Sequence, residues 1–331
     1  MSTKLTALGA LTALGAFGLL AAAPGAAYAQ SKFPDHPIRL IVGFGAGGAS
    51  DVAARIVAKS MSDDLHQSVI VENKPGASTS IAGDTVAKSA SDGYTLFMAG
   101  NANAVNAVSK PLPPFDVLTA FTPIGVVVRS PSILVSAPSV GIKSVAEIVD
   151  KAKAQPNQIS YASSGVAATS HLAGALFASA ENVKLVHVPY KGSSQAMTDV
   201  LAGRVSMMFA PISTALPLVK AGTLIALATT SEEREKDLPN VPTLSELGIK
   251  GIDLDIWSGF VAPSGTPADR IAILAKAMQT ALKSEDVQAQ FEKRGMKAVV
   301  GAGADEFSRH MKADITKLKG MVADGTMTFG H

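Results

Sequence analysis

The chain has 331 residues, 29 Lys and Arg against 27 Asp and Glu, and no cysteine. Balanced charge without a basic block argues against nucleic acid and anionic membrane surfaces as partners. The missing thiols exclude disulfides, thiol nucleophiles, iron–sulfur clusters and zinc–thiolate sites.

Lys4 precedes an apolar run over residues 5–23, and "PGAAYAQ" follows. A positive start, an apolar middle and small residues at Ala27 and Ala29 describe a secretory signal peptide, cut between Ala29 and Gln30. The run is long enough to span a bilayer, so an uncleaved anchor is the alternative. Its Ala, Gly and Thr content and the cleavage pattern directly after it favour removal. Without a twin arginine, export of a prefolded, cofactor-loaded protein is not indicated, and without Cys no lipid can be attached to an N-terminal thiol. The expected product is soluble, lies outside the cytoplasm and is held together by core burial alone. Its roughly 300 residues exceed what one core usually organises, so two lobes are expected.

Along the rest of the chain apolar runs alternate with helical patterns, which predicts an α/β architecture with mixed, mostly parallel sheets flanked by helices. Strands are expected over 38–42, 69–71, 95–99, 133–136, 159–162, 185–188, 205–209 and 224–228. Helices are expected over 51–62, 144–154, 169–180 and 195–202. The proline-rich "SKPLPPFD" reads as an extended surface excursion. After the strand-like "WSGFVAP", two long helical patterns cover 267–282 and 306–321.

In "IRLIVGFGAGGASDVAARIVAK" a strand ends at a glycine turn and a helix follows. Gly43, Gly45 and Gly48 satisfy the G-x-G-x-x-G spacing, and the next strand reaches Glu72, so the segment resembles a dinucleotide site. Glu72 lies 24 residues beyond Gly48, later than the usual spacing of about 20. Export removes the protein from any nicotinamide pool, and no other segment offers an acid–base pair for hydride transfer. Two further turns, "YASSGVAATSHLAGALF" and "HVPYKGSSQAMTDVL", also join a strand to a helix through small residues. Such loops aim main-chain N–H groups and the positive end of a helix dipole into the crevice of an α/β sheet, where they suit a small anion. Ser50, Ser163, Ser164 and Thr169 can add hydroxyls. The plainer alternative for each turn is simple turn and cap formation. No G-x-S-x-G elbow, H-E-x-x-H motif or close histidine pair is present, so binding rather than catalysis is expected, with no cofactor and no metal.

The ordered set "PDHPIRLIVGFGAGGASDVAARIVAKSMSDDLHQSVIVENKPGA", "DGYTLFM", "FTPIGVVV", "ISYASSG", "HLAG", "HVPYKGSSQAMTDVLAGRV", "LPNVPTLSELG" and "FVAPSGTP" closely resembles the periplasmic substrate-binding receptors of tripartite tricarboxylate transporters, the Bug family. The resemblance covers about residues 33–322. It implies a two-lobed, Venus-flytrap fold of type II periplasmic topology, a monomer that captures a small organic carboxylate and delivers it to a two-subunit inner-membrane permease. Residues 1–29 would then be the signal peptide, 30–130 the first part of lobe 1, 131–249 lobe 2 and 250–331 the rest of lobe 1. Crossings are expected near 124–135 and between 229 and 260.

In that family two strand-to-helix loops, one per lobe, hold the ligand's carboxylate, partly through waters. By position these are Phe44, Gly45, Ala46, Gly47, Gly48 and Asp51, and then Ser163, Ser164, Gly165, Val166, Ala167, Ala168 and Thr169. Three departures stand out. Gly43 occupies a place where the family usually has proline, Ala167 and Ala168 replace a glycine and a hydroxyl residue, and Ala210 in "MFAPIS" replaces an aspartate common in the family. The lost carboxylate argues against ligands bearing an ammonium group. Asp51 could order waters or serve as a helix N-terminal carboxylate. Asn101 and Asn103 could reach the ligand's far end or simply favour a turn. His171, Lys191 and Trp257 read first as structural or surface residues. The ligand could be a di- or tricarboxylate or an aromatic carboxylate, and the output could be transport or docking on a periplasmic sensor.

Overall fold

The structure is a computed structural model that describes residues 33–109, 112–166, 168–252, 256–323 and 325. The expected signal peptide and its cut between Ala29 and Gln30 lie outside the described residues, as does Ala167. The described residues form one compact unit.

The first lobe opens with β1 (Ile38–Val42), α1 (Ala49–Leu65), β2 (Val69–Asn73), α2 (Ser80–Ala87), β3 (Thr95–Gly100) and α3 (Asn101–Asn106). β4 (Phe121–Ser130) follows, and Pro131 alone separates it from β5 (Ser132–Ser136). The second lobe continues with α4 (Val145–Ala154), β6 (Ser160–Ser163), α5 (Thr169–Ala180), β7 (Val186–Pro189), α6 (Ser193–Leu201), β8 (Met207–Pro211), α7 (Ile212–Lys220) and β9 (Ile225–Thr229). The chain then re-enters the first sheet with β10 (Ile256–Pro263) and closes with α8 (Ala268–Lys283), α9 (Glu285–Glu292), β11 (Lys297–Ala298) and α10 (Ala304–Ala323).

Two sheets result, in the orders β11-β4-β10-β3-β1-β2 and β7-β6-β8-β5-β9. β1 pairs with β2 and β3, and β6 with β7 and β8, all in parallel; these are the strand–helix–strand units that the alternating pattern announces. Both sheets are mixed, with most strands of each sharing one direction, as expected. β3–β10, β4–β10, β4–β11, β5–β8 and β5–β9 are all antiparallel. β10 and β11 in the first sheet and β5 in the second run against the remaining strands, and apolar periodicity holds no information about strand direction.

Each lobe has its own packed face. α1, α8 and α9 cover one face of the first sheet, burying Leu40, Val57, Met61, Phe260, Leu274 and Phe291. In the second lobe Ile133, Met197, Val200, Met208 and Leu216 form the corresponding core. Full burial of such a side chain contributes about 1.5–3 kcal/mol, which is how a chain without cysteines holds its lobes. Among the described residues no helix is long and apolar enough to cross a membrane.

Candidate functional site

The carboxyl ends of β1, β3, β6, β7 and β8 each lead into a helix: α1, α3, α5, α6 and α7 respectively. The first residues of all five helices meet around one cavity, lined by Gly48, Ala49 and Ser50; Gly100, Asn101 and Asn103; Thr169 and Ser170; Ser193; and Pro211. Phe44, Met98, Ala102, Ser164, Ile256 and Ser258 complete the wall. The space inside its walls is about 560 Å³, open solvent at its mouth included. None of its lining residues is Asp, Glu, Lys, Arg or His.

The N-cap residues have a common chemistry. They are Gly48, Gly100, Ala168, Gly192 and Pro211, and none has a side-chain oxygen to accept the first-turn N–H groups. Elsewhere α4 and α9 are capped, Ser144 accepting the N–H of Glu147 and Ser284 that of Val287, while α2 and α8 also start without a side-chain cap. A helix start without a cap leaves its N–H groups and positive dipole end available. Pointed together into an uncharged cavity, they favour a small anion.

The loop over residues 43–48 is shaped from behind by Asp51. One oxygen of its carboxylate accepts the Gly47 N–H at 2.9 Å and Arg55 Nε at 3.1 Å, and the other accepts Asn73 Nδ2 at 2.9 Å. Asn73 Nδ2 also reaches the Phe44 carbonyl at 3.0 Å. Burial alone would raise the Asp51 pKa, but these partners outweigh it and hold the carboxyl below the usual range. The loop needs glycine at position 47, where φ is +76° and an added Cβ would sit 3.1 Å from Ser194 Oγ. At Gly100 an added Cβ would lie 2.2 Å from the Trp257 carbonyl oxygen, so only glycine lets α3 start beside β10.

The second loop is held by Ser163. Its hydroxyl oxygen accepts the Gly165 N–H at 3.2 Å and lies 2.6 Å from His187 Nε2. Ser170 supports the same loop by accepting the Ser164 N–H at 3.0 Å. His187 stacks on His171 with ring centroids 4.0 Å apart and on Tyr161 at 4.9 Å. Burial, then the neighbouring His171, pushes His187 down to about 4, and burial lowers His171 as well.

The lobes touch along the rim of the cavity. Ser194 Oγ donates to the Ala46 carbonyl at 3.4 Å, and the Ser78 hydroxyl donates to the Val166 carbonyl. A Cβ on Gly192 would lie 3.4 Å from the Gly45 nitrogen. The segment carrying Ser78 is tied to α3, where Asn103 Nδ2 donates to Thr79 Oγ1 at 3.0 Å.

Among the residues singled out from sequence, Phe44, Gly48, Asn101, Ser164 and Thr169 line the cavity. Gly45, Ala46 and Gly47 form the rim facing Lys191 and Ser194, and Gly165 lines an outer compartment beside Val166. Asp51, Ser163 and Ala168 are buried behind the loops, and Ala210 is fully buried in the second lobe's core, one residue before the lining Pro211. Asn103 does line the cavity, but its amide braces α3 and Thr79. Ser193 escaped selection although its strand-to-helix turn was visible in "PYKGSS"; Met98, Ile256 and Ser258 had no local signal. Glu72, the residue expected for a ribose in the dinucleotide reading, instead accepts Arg39 Nε at 2.7 Å and Nη2 at 2.8 Å from the adjacent strand.

Comparison with known proteins agrees with this architecture. BugT of Bordetella pertussis is 33% identical over 94% of this chain and 96% of its own length. A solved Rhodopseudomonas palustris protein with adipate superposes with a TM-score of 0.85 at 30% identity, covering 89% of this chain and 98% of the other. MatC from Rhodopseudomonas palustris with bound malate gives 0.82 at 26% identity, covering 88% of this chain and all of the other. The family model described as tripartite tricarboxylate transporter family receptor matches residues 53–325. The chain therefore belongs to that family of two-lobed periplasmic solute receptors, the Bug proteins.

Proposed function

We propose that this protein captures a small organic carboxylate between its lobes and delivers it to a membrane permease of two subunits. One observation carries the reading: five helix starts, none with a side-chain cap, converge on a cavity without an ionised side chain. A carboxylate there takes its hydrogen bonds from main-chain N–H groups and from the hydroxyls of Ser164, Thr169 and Ser193. The relatives holding adipate and malate support the ligand class. The lobe contacts at Gly45, Ala46 and Ser78 belong to a closed state, which a ligand touching both lobes favours over an open one. In this reading the mature receptor begins at Gln30, after export, and works as a monomer.

The test is a thermal-shift screen of mono-, di- and tricarboxylates beside neutral sugars and amines, followed by calorimetry. Binding to the folded state raises the melting temperature. At least one carboxylate should bind, and Thr169→Val should weaken it roughly 3- to 10-fold through the lost hydroxyl. If no carboxylate shifts the transition, or if a sugar or amine does so instead, the reading fails.

A further inference from the structure

Between β2 and α2, residues 76–79 form a strap of unusual backbone. Gly76 has φ +140°, and Ala77, Ser78 and Thr79 follow at +43°, +50° and +78°. Left-handed backbone is costly for an L-residue, and outside glycine it occurs as single residues rather than runs. Three in succession, none of them glycine or asparagine, mark stored strain. Such strain persists only where the surrounding structure over-determines it.

The inner end of the strap is seated in the first lobe. Thr79 is buried, and its Oγ1 accepts Asn103 Nδ2 at 3.0 Å and Asn106 Nδ2 at 3.3 Å. Asn106 Nδ2 also donates to the Ser78 carbonyl. A Cβ on Gly43 would lie 2.5 Å from Thr79 Cβ, so this seat requires glycine where the family usually has proline. The outer end is held differently. Ala77 is exposed, and its carbonyl accepts the Ser80 N–H. Ser78 is half-buried, and its hydroxyl donates across the cleft to the Val166 carbonyl. Val166 stands two residues beyond Ser164, in the second lobe's own cavity loop. The strap thus touches the same loop that the ligand would touch.

Building on the receptor reading, we propose that residues 76–79 are a strained clasp that sets how readily the lobes part. When they separate, the Ser78 hydroxyl leaves Val166, and the tip at Ala77 and Ser78 relaxes to ordinary backbone while Thr79 stays seated. Closure has to wind the tip back into left-handed geometry. The strain opposes closure, whereas the Ser78–Val166 contact and a ligand touching both lobes favour it. The balance keeps the closed state able to open and release what it carries.

The experiment uses the absence of cysteine from the chain. Ala46→Cys combined with Ser194→Cys places two thiols across the rim, where Ser194 Oγ lies 3.4 Å from the Ala46 carbonyl. Their disulfide, formed with copper–phenanthroline as oxidant, requires closed lobes, so its rate in the ligand-free protein follows the closed population. Added to this reporter, Ala77→Gly takes left-handed backbone at little cost and should speed cross-linking roughly 3- to 10-fold. Ser78→Ala should slow it by a similar factor. Melting temperatures of the same variants separate strain relief from closure. If Ala77→Gly melts higher yet cross-links at the parent rate or below it, the strain is equal in both states and the proposal is overturned. A parent rate in Ser78→Ala overturns it too, and absence of any cross-link in the parent reporter removes the closed rim on which it stands. None of these outcomes needs a ligand, so a failure of every carboxylate to bind would sink the receptor reading while the reporter still decides the clasp.

Discussion

His187 Nε2 lies 2.6 Å from Ser163 Oγ, and the same hydroxyl oxygen accepts the Gly165 N–H. An imidazole therefore braces the turn that carries Ser164 into the cavity. Its pKa, pushed down from the ordinary 6.5 to about 4 by burial and by His171, ties this brace to acidity. Between those values the unfolded chain holds a proton that the folded chain does not. Stability is therefore full above pH 6.5 and falls as the pH drops from 6.5 towards 4. Melting temperatures of the wild type should decline through that window, and His187→Gln should flatten the decline while keeping a partner for Ser163. An unchanged pH profile in the variant would remove His187 as its cause.

Asp51 has a linkage of the same sign, at lower pH. Its carboxyl is held below the usual range by Arg55, Gly47 and Asn73 despite burial, so its contribution is present above the ordinary carboxylate pKa and is lost as the pH falls through the lowered value. Asp51→Asn should cost about 1–3 kcal/mol at neutral pH, with the gap to wild type closing in acid. Denaturant titrations at pH 7 and pH 3 measure both parts. A gap of equal size at the two pH values would mean that the charge is not what shapes the loop.

The legibility of the sequence varied with the signal each element carries. β1 and α5 occupy the expected positions because an unbroken apolar run and a small-residue turn mark them plainly. β4 was hidden because Pro123 and Gly125 argue against a strand, yet both lie on a strand whose partner β10 is locally irregular in register. α7 was hidden by Pro217, which reads as a helix breaker but sits inside the helix. At the site, sequence located the two loops and not the orientation of their residues. Asp51 and Ser163 turn their side chains behind the loops, while Ser258 and Ile256 reach the cavity from a strand more than 80 residues beyond the second loop. Long-range placement of that kind leaves no mark on local spacing.

Gly47 joins loop geometry to lobe contact. Its φ of +76° and the nearness of Ser194 mean that Gly47→Val imposes backbone strain and crowds the closed rim. The strain should cost about 1–2 kcal/mol, too little to unfold the protein. The crowding opposes closure, so the stabilising shift given by a bound carboxylate should vanish. Retention of the full ligand shift would show that closure does not pass through this contact.

Asp314 contributes to stability with the reverse sign. Burial raises its pKa, partly offset by the Trp257 indole and then by His310, Lys317 and Arg129. The folded state therefore holds its proton to higher pH than the unfolded chain does, and stability falls as the pH rises through that interval. Asp314→Asn keeps an oxygen to accept the Trp257 N–H at the 2.8 Å contact and removes the charge. It should raise the melting temperature at pH 7, each kcal/mol gained giving about 2–4 °C, and the advantage should shrink towards pH 4. Scanning calorimetry at pH 7 and pH 4 reads the effect. A lower melting temperature at pH 7 would show that the carboxylate is a net attractive partner of His310, Lys317 and Arg129 and that burial is not the larger effect.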